Sequence, residues 1–183
     1  ADHVRTFGMR NPGIIRLTWG VTGPPDQVTR WGQQKEALFR AAAGDLKALA
    51  GATELVSDLR AHGWRQAIGS SAPHANITFL LKVLGLADAF DAVVSGDDVT
   101  AGKPDPAIFR TGLLRLGVAP SRGVVIEDAV PGVQAGVAAG AYTVGVTTSR
   151  ARADLLAAGA HLVVDSLAEL SAARLEAALD EAR

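Results

Sequence analysis

The chain has 183 residues, 48% of them hydrophobic, and a formal net charge of −1, a size that suits one domain or one domain with a small insert. The balanced charge gives no basic field for nucleic acid, and no apolar run reaches the ~20 residues that cross a bilayer, so neither nucleic acid nor a membrane is an expected partner. There is no cysteine, which excludes disulfides, thiolate zinc sites and a cysteine nucleophile and fits a cytoplasmic protein.

Residues 1–43 differ in texture from the rest. They hold Trp19 and Trp31 and no convincing strand. Asn11-Pro12-Gly13 can open a helix with proline in its first turn, followed by the apolar Ile14, Ile15, Leu17 and Trp19. Gly23-Pro24-Pro25-Asp26 is a break. The spacing then predicts a second helix from about residue 26 to 43, with Val28, Trp31, Leu38 and Ala42 along its apolar side. From residue 52 helix and strand alternate. Helices are expected over 53–62, 74–84, from Pro106, over 131–139 and over 152–158. Strands are expected over 65–70, 92–95, 123–126, 142–147 and, last, 162–164. This alternation predicts an α/β fold, a mostly parallel sheet with helices on both faces, whose ligands lie beyond the carboxyl ends of the strands. The domain reading is a helical unit over 1–45 and an α/β unit over 46–183. Gly132, Gly136 and Gly140 form a small-residue stripe, read as close packing of helix on sheet.

Three polar clusters follow three of the predicted strands. Gly69-Ser70-Ser71-Ala72 offers hydroxyls and small residues whose backbone N–H groups can meet an anion; the same serines could simply cap the next helix. Gly102-Lys103-Pro104-Asp105-Pro106 holds a lysine on stiff, extended backbone, since proline disfavours helix in the residue before it. Its ammonium suits a phosphoryl group, or it is a surface lysine before a helix. Ile126-Glu127-Asp128 ends an apolar strand with adjacent carboxylates able to hold Mg²⁺, unless Asp128 caps the following helix and Glu127 is solvated. Together they supply anion-binding amides, a cation and metal ligands at one sheet edge, which is equipment for phosphoryl transfer.

In this order the clusters resemble the haloacid dehalogenase superfamily, in the branch of β-phosphoglucomutase and sugar phosphatases. Ile68-Gly69-Ser70-Ser71 is similar to that family's second motif, Gly102–Pro106 to its lysine motif, and Ile126-Glu127-Asp128 with Gly132 and Ala135 to its acidic motif. The resemblance implies that Ser70 and the Ser71 amide bind the transferring phosphoryl group, that Lys103 neutralises it, and that Glu127 and Asp128 serve Mg²⁺. It also implies that residues 1–43 are the later part of a helical cap. There Arg10, with Asn11 beside it, and Lys35 would reach substrate, as would His74 from the α/β unit.

The family's first motif, an Asp-x-Asp pair carrying the nucleophile and the general acid/base, has no match. Asp2, Asp97-Asp98 and the Asp88/Asp91 pair are all misplaced for it. The motif, and the central strand bearing it, are therefore expected upstream of Ala1, in a protein heavier than 18.9 kDa. The function that the resemblance implies is a Mg²⁺-dependent phosphatase acting on a small phosphorylated metabolite, a sugar phosphate above all, through a phospho-aspartyl intermediate. A phosphomutase and a non-catalytic remnant are the alternatives. The sequence carries no signal for oligomers, and a monomer is the default.

Overall fold

The computed structural model describes residues 11–20 and 24–182. Helix α1 (Asn11–Trp19) buries Ile15 and lies against α2 (Pro25–Ala42). Pro25 starts α2, where its missing N–H costs nothing. The two helices approach closely at Gly32, where a Cβ would sit 3.3 Å from the Asn11 side chain. Of the expected apolar face of α2, Val28 and Trp31 are half-buried. Leu38 is 72% exposed and Ala42 is also exposed, while Gly32 and Glu36 are buried one helical turn apart. The inward line of α2 is therefore small and polar, which a search for apolar spacing passes over.

The α/β part follows the predicted order: α3 (Ala52–Ala61), β1 (Ala67–Gly69), α4 (His74–Val83), β2 (Ala92–Val94), α5 (Ala107–Leu116), β3 (Val124–Glu127), α6 (Val130–Ala138), β4 (Tyr142–Val146), α7 (Arg152–Ala157) and β5 (Leu162–Val164). A further helix, α8 (Ala172–Glu181), follows β5 and was absent from the sequence reading. It begins at Ser171, whose hydroxyl accepts from the Arg174 N–H, and it buries Ala172 and Leu175. Complete burial of one such leucine contributes about 2 kcal/mol, so α8 is part of the core.

All strand pairs are parallel, but the strands form two sheets, β1–β2 and β3–β4–β5. Among the described residues nothing pairs β1 with β3, which is where the expected central strand would lie. Alternation along the strands separates two faces. Val144, Val146 and Val164 pack with Leu55, Leu59, Leu170 and Leu175 from α3 and the α8 region. Val163 packs on the other side with Val133 of α6 and Leu155 of α7. The glycine stripe resolves into three separate needs. Gly136 lets α6 approach β3 and β4, since a Cβ there would lie 2.7 Å from Thr143 Oγ1. Gly140 takes a φ of +83° after the helix. Gly132 makes room for Glu127, as described below.

Candidate active site

The strand ends and the helical pair enclose a cleft of ≈ 810 Å³. From the sequence-predicted residues it gathers Asn11, Lys35, Ser70, Ser71, Lys103, Glu127 and Asp128. His74 is not among its lining residues: the side chain is exposed, and its backbone N–H donates to Asp97 Oδ2 at 3.0 Å. His74 opens α4 outside the cleft lining. Arg10 lies outside the described residues.

At the end of β1, the Ser70 N–H continues the ladder to the Val94 carbonyl. The Ser70 hydroxyl accepts from the Ala72 N–H at 3.2 Å, which fixes the loop. Neither serine caps α4. Its N-cap is Pro73, without a side-chain cap, and Asp97 takes the first N–H of the helix instead. The Ser71 hydroxyl is buried with no hydrogen-bond partner among the described residues. A buried polar atom left open at a cleft is the position in which a ligand oxygen would satisfy it.

Lys103 sits on the loop between β2 and α5, before a cis peptide to Pro104. Its side chain is 7% exposed, so it is no surface lysine. The ammonium donates to the Gly69 carbonyl at 3.2 Å and to Glu127 Oε1, and it lies 4.7 Å from the centre of the Phe109 ring. One cation thus spans the ends of β1 and β3 while the ring shields it from water.

Glu127 and Asp128 do not take the solvated and capping roles. Glu127 is not solvated. Its Oε2 accepts from the Asp128 and Ala129 N–H groups at 3.2 and 3.4 Å, just ahead of α6. A Cβ at Gly132 would lie 2.2 Å from this carboxylate, so only glycine leaves it room. Asp128 does not cap α6, whose N-cap is Ala129. Its Oδ2 accepts from Thr148 Oγ1 at 3.2 Å, and Ser149 Oγ donates to its backbone carbonyl at 2.7 Å. Thr148 and Ser149, which follow β4, were missed by sequence reasoning. Their only signal was position after a predicted strand.

The helical wall holds a second polar group. Glu36 Oε1 pairs with Lys35 Nζ at 2.6 Å, and Oε2 accepts from the Asn76 amide of α4. Arg40 donates to the other end of that amide, Asn76 Oδ1. Burial on its own would raise the Glu36 pKa. Hydrogen bonds from Lys35, Asn11 and Asn76, with the Lys35 charge, outweigh it and hold the carboxyl below its ordinary value. Glu36 and Asn76 were also missed; the signal was a polar residue one turn from a glycine on the helix side that faces inward.

Residues 4–140 match the hydrolase family described as haloacid dehalogenase-like hydrolase. The chain belongs to that family. It is 37% identical over 123 residues to the bifunctional riboflavin kinase/FMN phosphatase of Arabidopsis thaliana, a match covering 67% of this chain and 32% of that protein. It is 36% identical over 111 residues to the validoxylamine A 7'-phosphate phosphatase of Streptomyces hygroscopicus subsp. limoneus, covering 58% of this chain and 52% of that one. The chain thus spans about half, or less, of the length of these curated relatives. Among solved structures, the β-phosphoglucomutase of Clostridium difficile superposes with a TM-score of 0.87 at 24% identity, covering 99% of this chain and 82% of that one. That likeness shows the α/β fold with parallel strands. No helix among the described residues is long and apolar enough to cross a membrane.

Proposed function

We propose that this haloacid dehalogenase-like protein is a Mg²⁺-dependent phosphatase of small phosphorylated metabolites, with sugar phosphates as the substrate class. The observation that carries the reading is the convergence of the open Ser71 hydroxyl, the Lys103 ammonium and the Glu127/Asp128 pair on one cleft. Phosphatase relatives of differing substrate, for FMN and for validoxylamine A 7'-phosphate by name, agree with the reaction class.

In this reading Ser70, Ser71 and Lys103 hold the phosphoryl oxygens, and Lys103 neutralises charge as the leaving oxygen departs. Glu127 orients Lys103 through their ion pair. The donor set fits Mg²⁺. That ion takes hard oxygens and needs only one or two protein carboxylates beside its waters. Asp128 offers one, and Glu127, whose oxygens also meet Lys103 and two backbone N–H groups, stands beside it, although no group of three His, Cys, Asp or Glu side chains converges among the described residues. When bound, the ion would neutralise phosphoryl charge. Among the described residues, the acids lining the cleft are Glu36, Asp97, Glu127 and Asp128, and the attacking aspartate that family resemblance implies is not one of them.

The test is release of inorganic phosphate from p-nitrophenyl phosphate and glucose 1-phosphate by full-length protein, with Mg²⁺ and with EDTA. Phosphate release that EDTA abolishes is expected. Inertness toward both esters in Mg²⁺ would sink the proposal. Conversion of glucose 1-phosphate to glucose 6-phosphate would show a phosphomutase instead, the activity named for a protein of similar fold.

A further inference from the structure

The phosphate reading makes no use of Glu36. An ionised carboxylate only 7% exposed is tolerated when its oxygens are fully partnered. Its partners come from three elements: Asn11 of α1, Lys35 of α2 and Asn76 of α4. The orientation of Asn76 is also fixed. Arg40 can only donate, so it takes the amide oxygen, and the amide N–H₂ must face Glu36. Asn76 is on the first turn of the helix that follows the Ser70–Ser71 cluster. One carboxylate therefore joins the helical pair to the phosphate-binding strand end and draws the Lys35 ammonium onto the cleft wall.

Resting on the phosphatase reading, we propose that Glu36 is a positioning residue for substrate selection. Bonded to Asn76, it sets the distance between the helical wall and the phosphoryl cluster, and it presents Lys35 to the hydroxylated leaving group of a sugar phosphate. It touches no reacting atom. Its influence falls on how tightly a sugar-bearing ester is held and not on the phosphoryl step.

The experiment compares full-length wild type with Glu36→Gln, Asn76→Asp and the double variant. Each is assayed on p-nitrophenyl phosphate and on whichever of glucose 1-phosphate and glucose 6-phosphate the wild type hydrolyses faster. Glu36→Gln keeps the shape but can set an amide N–H₂ against that of Asn76. Asn76→Asp sets two carboxylates together. In the double variant the Gln amide donates to the new carboxylate, accepts from Lys35, and leaves Arg40 an acceptor. Each single change is expected to raise KM for the hexose phosphate about tenfold, the loss of one well-made hydrogen bond, with kcat within about threefold. The rise in KM for p-nitrophenyl phosphate should be several times smaller, and the double variant should recover most of the hexose-phosphate loss.

A double variant no better than the worse single variant overturns the inference, as do equal KM rises on both esters or no rise on either. A wild type that cleaves p-nitrophenyl phosphate but neither hexose phosphate also overturns it, and leaves the phosphatase reading intact. If the wild type cleaves nothing, that reading fails. Calorimetric binding of glucose 6-phosphate then decides: the same loss and recovery support the role of Glu36, and absent binding ends it.

Discussion

On the α/β side of the cleft, functional groups are held largely by backbone. Glu127 accepts from two backbone N–H groups over a glycine, Lys103 bonds a strand carbonyl, and Ser70 closes its own loop. On the helical side they are held by other side chains, with Lys35, Glu36, Arg40 and Asn76 each depending on a neighbour. Backbone anchors suit chemistry that must stay the same whatever the substrate. Side-chain anchors can change with single substitutions and leave the fold intact, as a wall that selects leaving groups requires.

The largest effect should come from the strand-end side. Lys103→Ala removes the cation that joins β1 to β3 and, in the proposed reading, faces the phosphoryl group. It should lower kcat about a hundredfold or more on any ester, the cost of losing one charge-stabilising donor. Equal activity in a phosphate-release assay would break the division between the two walls, because the chemistry would then not sit at the strand ends. A smaller loss is expected from Gly132→Ala. Alanine favours a helix over glycine by about 1 kcal/mol, but its Cβ would displace the Glu127 carboxylate, which lies 2.2 Å from that point. The carboxylate is the mobile end of a side chain, so the melting temperature should move by less than about 5 °C, while kcat falls about tenfold through misplacement of Lys103 and the proposed metal ligands. A variant that melts early and keeps its kcat would show that Gly132 serves packing alone.

The two sides also differed in how far the sequence revealed them. Strand-end residues were legible because Ser70 and Glu127 close short apolar runs and Lys103 stands between glycine and proline, a pattern that period and punctuation expose. The helical wall was misread because its inward line is Gly32 and Glu36, while Leu38, which the apolar pattern turned inward, faces solvent. Only the approach of α1 and the amide of Asn76, distant in sequence, make that polar line the buried one. Helix α8 escaped because its alanine-rich run has just two inward positions, Ala172 and Leu175. Its start signal, Ser171, is plain only once Ser166 and Glu169 are seen to cap the short turn before it. The seating of the Glu127 carboxylate depended on the space at Gly132, which sequence spacing does not convey.

The smallest expected effect concerns the loop that follows β2. Asp98 accepts from the Ser95 hydroxyl and N–H and from Arg115, and these bonds hold its carboxyl well below the ordinary value of 3.8. The adjacent Asp97 caps α4, which carries Asn76. Because the folded-state pKa is depressed, the stability Asp98 contributes is fully present above its ordinary pKa and is lost as pH falls below about 4 toward the folded value. The group is largely accessible to water, so the effect is screened and small. Asp98→Asn removes the titration. In melting curves taken from pH 5 downward, the wild type should lose stability more steeply than the variant, and parallel curves would remove Asp98 as the anchor. If slack at this loop reaches Asn76, the same variant at neutral pH should raise KM for a hexose phosphate slightly and leave p-nitrophenyl phosphate almost unaffected. A rise on both esters would mean that the loop supports the strand ends as much as the helical wall.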